Sequence, residues 1–434
     1  MIIVYSHIIT ERVAYIFRTI FEDVLNVQVS FTNDVSFFTQ SNLPKINYSN
    51  QVIENALFFP ATDLLFEEGI KEQKIEVFED QLHQKVFFKV DNGSCFSFDL
   101  FAASFYLITR YEEYLPHKTD KHGRFLASES LAFKHDFIKT PIINYWINHL
   151  EQCIKDKYSD FQFPERKFNY LSTIDIDNAY AILHKGFLRT IGGIAKAIFS
   201  GNNLKQRLNV LVKKEKDPYD TFAYLENFHQ QQKIKPIYFF LVGDYAKYDK
   251  NCSLENESFQ HLIMNLAIKN EIGLHPSYQS NEANDKLHLE KNRLENVINK
   301  TVLKSRQHYL KLTFPATYDK LLKTGISTDY TMGYAETIGF RASIAHPFFF
   351  YDIEKEQATK LKIIPFCVME ATFLYYENKT PEQALKEIYQ LIDEVKKVKG
   401  TFVSVWHNES LSDEGIWKGW KEVYEKMIFR YVQL

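Results

Sequence analysis

The chain has 434 residues, with 52 Lys plus Arg against 55 Asp plus Glu, a formal charge of −3, and 45% apolar residues. That composition is ordinary for a globular protein and excludes general disorder, while 15 Gly and 12 Pro exclude flexible linkers and collagen-like repeats. The near-neutral balance carries no electrostatic footprint for nucleic acid or an anionic membrane, so neither is expected as a partner.

The length predicts two or three domains. Cys95, Cys153, Cys252 and Cys367 lie far apart with no C-x-x-C pair, so reduced structural thiols are expected. The opening MIIVYSHIITERVAYIF has no basic leader or small-residue cleavage site, and no apolar run approaches the ~18 residues of a membrane span. These features predict a soluble cytoplasmic protein.

The first element is a strand from Ile2 to Tyr5, followed by a helical pattern to residue 24. Lys85 to Val90 reads as a strand, Phe98 to Tyr114 as a helix with an aromatic face, and Pro141 to Lys155 as a further helix. Residues 1–165 therefore form a mixed α/β domain of unknown role. From 168 to 434 short apolar runs alternate with helical patterns. The strands are YLSTIDI, PIYFFLV, EIGLH, runs near Val302 and Ile326, IGFRAS, KIIPFCVM and TFVSVWH. Residues 184–215 interrupt the first two as a helical insertion, and Ser280 is placed as the cap of a helix carrying Leu287, Leu294 and Val297. Thr380-Pro381-Glu382-Gln383 holds an N-cap, a Pro at the first helical position and a capping-box Gln. Alternation of this kind predicts an α/β fold with a parallel sheet, open or closed into a barrel.

Ionisable residues stand at the carboxyl ends of these strands, which is the functional face of α/β sheets and barrels. Asp175 and Asp177 are two apart, so their carboxylates share one side of an extended chain; Asp177 is also a competent cap for the turn at Asn178. His275 ends EIGLH ahead of a Pro. His407 ends TFVSVWH beside Trp406, a desolvating wall, and His308 follows Arg306 by two. Two carboxylates and three histidines suit a divalent metal with a carboxylate base and an imidazole acid. Nucleophile and phosphate-loop signatures are absent: there is no G-x-S-x-G, and Ile191-Gly192-Gly193-Ile194 lacks the Lys.

Residues 168–410 resemble the polysaccharide deacetylase superfamily, most of all its divergent bacterial branch with an extra N-terminal domain. Thr173-Ile174-Asp175-Ile176-Asp177 resembles the family's Thr-Phe-Asp-Asp with one residue inserted. His275-Pro276-Ser277-Tyr278-Gln279 matches only the first His of the second motif, because position 279 is Gln. Arg306-Gln307-His308-Tyr309 resembles the Arg-containing third motif, and Val405-Trp406-His407 the last. The resemblance implies a distorted (β/α) barrel of seven or eight strands and a divalent metal, zinc first. Asp177, His275 and His308 are the implied ligands, with Gln279 as the alternative third. Asp175 is the implied base and His407 the acid, and Arg306, Tyr278, Asp329, Arg341 and Trp406 form the implied substrate-binding set. The implied activity is removal of an acyl group, N-acetyl first, from a sugar or glycan precursor. A non-catalytic carbohydrate-binding or scaffold protein on a decayed deacetylase fold is the alternative, and the direction His308 faces separates the two. Arg110 to Tyr114 and His122 to Phe125 resemble a recurrent part of the extra domain.

Overall fold

A four-stranded parallel sheet and a nine-stranded, mostly parallel sheet divide the chain between them. The computed structural model describes residues 1–91, 95–200, 204–282 and 285–432. The first sheet joins β1 (Ile2–Ser6), β2 (Val29–Thr32), β3 (Lys45–Ser49) and β4 (Leu57–Pro60) in the order β2-β1-β3-β4. Helices α1 (Glu11–Arg18), α2 (Leu100–Ile108) and α3 (Ile142–Lys157) belong to this half. Each of the first two begins with an oxygen side chain, Thr10 or Asp99, accepting N–H groups of the first turn. Lys85–Val90 contributes a two-residue strand, β6 (Lys85–Val86), paired with β5 (Phe78–Glu79), and an isolated bridge from Lys89 to Phe98.

The large sheet runs β12-β13-β11-β10-β9-β8-β7-β15-β14. Its strands are β7 (Asn169–Ile176), β8 (Ile237–Phe240), β9 (Glu271–Leu274), β10 (Lys304–Ser305), β11 (Thr328–Asp329), β12 (Phe348–Asp352), β13 (Gln357–Ile363), β14 (Val368–Met369) and β15 (Thr401–His407). Only the β12–β13 pair is antiparallel, so eight strands are parallel and a ninth is an added edge. Among the described residues no ladder pairs β12 with β14. IGFRAS, expected as a strand, is turn: Phe340 N–H bonds Ile138 O (2.7 Å) and Ile143 N–H bonds Ser343 O (3.2 Å), across to the N-terminal half. Gly339 permits this approach, because a Cβ there would lie 2.4 Å from Ile138 O and its φ is +132°.

The two faces of the large sheet carry different layers. Ile237, Phe239, Val403 and Val405 join one buried cluster with Leu310 and Phe366. Their neighbours Tyr238, Phe240, Phe402 and Trp406 point oppositely, into the main core under the helices. That main core continues without a break into the first half, where Tyr15 and Phe105 pack on Tyr351 at 4.8 and 5.3 Å between ring centroids.

Helices α4 (Phe187–Ser200) and α5 (Leu204–Leu211) form the expected insertion, of which residues 201–203 lie outside the described residues. Thr380 and Gln383 make the capping box of Pro381–Lys397. Ser280 caps no long helix: it lies in a short 3-10 turn, and Asp285 precedes the helix Lys286–Ile298.

His229, on the helix Phe222–Gln232, is 3% exposed and its Nε2 lies 2.5 Å from Tyr424 Oη. Burial pushes its pKa down to about 4. The unfolded chain therefore binds a proton below about 6.5 that the fold refuses, so stability is present above pH 6.5 and is lost on the way down to 4. Urea unfolding at pH 7.5 and 5 should show a loss of about 2 kcal/mol from this residue, absent in His229→Gln.

Candidate metal and catalytic site

The carboxyl ends of β7, β9, β10 and β15 meet in a cleft of about 410 Å³. Strand alternation aims Asp175, and Asp177 just beyond the strand, to the same side as Thr173, with both carboxylates lining the cleft. Asp177 caps no helix, since turns occupy 178–183.

The three histidines are held in one manner. His275 donates Nδ1–H to the Arg306 carbonyl (2.5 Å), His308 to Asp249 Oδ1 (2.8 Å) and His407 to Glu370 Oε1 (2.8 Å). A carbonyl or carboxylate can only accept, so each Nδ1 carries the proton and each Nε2 is left toward the cleft. Asp177 Oδ1 lies 3.0 Å from His275 Nε2, and Oδ2 lies 3.3 Å from His308 Nε2 and 3.7 Å from His407 Nε2. Ligand atoms of Asp177, His275 and His308 all fall within 4.8 Å of one another.

This donor set fits a divalent cation. Two imidazole nitrogens and a carboxylate converge, and among the described residues the buried Asp177 Oδ1 has no hydrogen-bond partner. The Asp249 contact matches the usual support of a ligating imidazole by a carboxylate behind it. Gln279, the alternative ligand, is turned elsewhere: its Oε1 takes the Lys286 ammonium.

Charge distribution separates the roles of the other groups. Asp175 receives Arg306 Nη1 at 2.7 Å, beside His275 Nε2 at 3.9 Å. Burial opposes ionisation of both Asp177 and His407. The imidazoles of His308 and His407 nevertheless hold Asp177 well below the carboxylate range, and Glu370 and Asp177 raise His407 well above an ordinary histidine. Burial disfavours charge on His308 too, but Asp177 and Asp249 lift it to about 9. Glu409, on the cleft wall, is pushed up to about 7 by burial.

The expected substrate-binding residues are placed less favourably. Arg306 is fully buried and spent on Asp175 and the Tyr330 carbonyl. Trp406 faces the opposite side of the sheet, against Tyr424 (4.9 Å), because β15 alternates; it is no wall for His407. Asp329 is buried, accepting Ser305 Oγ–H and Thr331 N–H and Oγ1–H. Arg341 is paired with Glu113. None of these four lines the cleft. Tyr278 sits behind its rim, its ring tilted against that of Tyr248 at 4.4 Å between centroids.

Asp249, Glu370 and Glu409 were not anticipated. Glu370 directly follows β14, so the same strand-end rule marks it; Asp249 lies in a polar turn with no signal. The first half also reaches this mouth, where Arg124 lines the cleft. A turn from Asp120 to Arg124, with Gly123 at φ +76°, presents the guanidinium to Tyr309 O (2.8 Å) and Tyr376 Oη (3.0 Å). His122 of the same turn packs on Tyr309 at 4.9 Å.

A putative polysaccharide deacetylase from Mycobacterium smegmatis is 13% identical over 63% of this chain and 87% of its own, with a TM-score of 0.41. Puue allantoinase is 9% identical over 62% and 85%, with a TM-score of 0.40. BA3943, a CE4 family pseudoenzyme from Bacillus anthracis, is 12% identical over 61% and 60%, with a TM-score of 0.29. No curated protein matches the chain. Residues 2–159 match DUF7033, a family of unknown function.

Proposed function

We propose that this protein is a metal-dependent hydrolase that removes an acyl group, N-acetyl first, from a sugar or glycan precursor. The observation that carries the reading is the convergence of Asp177, His275 and His308, with the Nδ1–H of both imidazoles committed away from the centre and each Nε2 facing it. The motif order from Asp175 to His407 supports it, and the inward aim of His308 favours catalysis over the binding-only alternative.

Bound at these three residues, a divalent cation supplies Lewis acidity toward a carbonyl oxygen and toward water. Asp175, held by Arg306, takes the proton of the attacking water. His407, kept charged by Glu370 and Asp177, gives its Nε2 proton to the leaving nitrogen, which an amide requires because an amine anion is a very poor leaving group. Tyr248, Tyr309, Tyr375 and Trp417 line the cleft and offer flat apolar faces to a sugar ring.

Elemental analysis of the purified protein tests this. Near one equivalent of zinc or another transition metal, lost in His275→Ala, is expected, together with free amine released from N-acetylglucosamine oligomers. No metal after incubation with excess zinc would sink the reading.

A further inference from the structure

We infer that the α4–α5 insertion is a docking surface for an anionic lipid bilayer. Helix α4 leaves Phe187, Leu188, Ile191, Ile198 and Phe199 exposed, at 78, 83, 48, 59 and 91%. At ~100° per residue these five fall within a sector of about 120°, a continuous apolar stripe turned to solvent. The opposite side of the helix is seated on the protein through the buried Ala197. Leu208 on α5 and Val212 just after it add exposed apolar surface at 44 and 62%. Soluble surfaces seldom gather so many large apolar side chains without a partner.

Charge identifies the partner. Residues 185–216 hold eight Lys or Arg against the single Glu215, a local +7 within a chain of −3. The near-neutral total, which predicts no membrane affinity, conceals this segregation. Lys196, Lys205, Lys213, Lys214 and Lys216 are all exposed. An exposed apolar stripe flanked by lysines is the pattern of a helix lying in the headgroup layer, where burial of the stripe and attraction to anionic lipid act together. A second copy of the chain is a poor occupant, since a two-fold contact would set two +7 surfaces against each other. Among the described residues no helix is long and apolar enough to cross a membrane, so the contact is peripheral.

The surface adjoins the cleft. Gln206 and Arg207 line a neighbouring cavity of about 380 Å³ with the exposed Ile416, and that cavity shares Asn178, Tyr375 and Trp417 with the cleft. A docked insertion therefore sets the cleft mouth at the lipid surface. The consequence that the acylated sugar is membrane-associated rests on the hydrolase reading; the docking itself does not.

Cosedimentation of the full chain with vesicles tests the docking. Vesicles of equal phosphatidylglycerol and phosphatidylcholine should bind it at least about tenfold better than phosphatidylcholine alone. Binding should fall at about 1 M salt, where the Debye length is ~3 Å. The double variants Phe187→Ser/Phe199→Ser and Lys213→Glu/Lys214→Glu should each lose about tenfold. Phe37→Ser, an exposed apolar residue of the other half, should bind as wild type. Equal affinity for both vesicles, no binding, unaltered binding by the two double variants, or a dimer dissolved by them in place of vesicle binding would each overturn the proposal. Repeating the assay after chelation separates it from the metal reading: docking survives loss of metal, and its failure leaves metal content unchanged.

Discussion

His308→Ala is expected to reduce bound metal to background and to abolish deacylation with it. The residue stands outside the expected His-x-x-x-His spacing, and position 279, where that spacing places the second His, is a Gln tied to Lys286. On the proposed reading His308 takes the vacant role, since its Nδ1–H is fixed on Asp249 and its Nε2 lies 3.3 Å from Asp177. Asp249→Ala leaves the three ligand atoms in the chain but frees the imidazole to rotate, so metal affinity should fall about 10–100-fold rather than vanish. Competition with a graded series of chelators measures both. Full metal occupancy in His308→Ala would show that another residue completes the ligand set.

Glu113→Ala is expected to destabilise the protein by about 3–5 kcal/mol. Glu113 Oε1 accepts from Arg110 Nε (2.8 Å) and Arg341 Nε (2.9 Å), and Oε2 accepts from Arg341 Nη2 (2.5 Å). Glu112 pairs with Arg110 at 2.7 Å, and Arg110 also donates to the Arg341 carbonyl and to Tyr334 Oη. Both guanidiniums and the Glu113 carboxylate are 3% exposed or less. Their charges balance as two against two, and removing one carboxylate leaves two guanidiniums sharing Glu112 in a dry contact between the halves. Denaturant unfolding measures the loss, and a change below about 1 kcal/mol would mean that water reaches the network.

These four residues give a physical role to the Arg110–Tyr114 segment: it joins α2 of the first half to the turn carrying Arg341. The Asp120–Arg124 turn continues from it to the cleft rim. The two halves thus share both a core and the wall of one site.

Much of this was legible locally. Strand-end placement, the two-residue spacing of Asp175 and Asp177, and the short apolar runs predict β7, β8, β9 and β15 and the residues at their carboxyl ends. Each of those signals lives within a few residues, because side-chain alternation and strand termination are local properties. The helical insertion and the Thr380 capping box are legible for the same reason. Which face a residue takes relative to distant groups is not local. Trp406 is adjacent to His407 in sequence and on the other side of the sheet in space, and Arg341 looks like a cleft residue until Glu113, 228 positions away, claims it.

By itself, then, the sequence determined an α/β chain with a parallel sheet and an acidic and imidazole cluster at its strand ends. Only the tertiary structure brought His308 Nε2 beside Asp177 and set Asp249 and Glu370 behind the imidazoles of His308 and His407. Arg124 reaches the mouth from the other half by the same long-range packing. The physical reason is that hydrogen-bond partners of buried charges are chosen by packing across the fold, at sequence separations that no spacing rule spans.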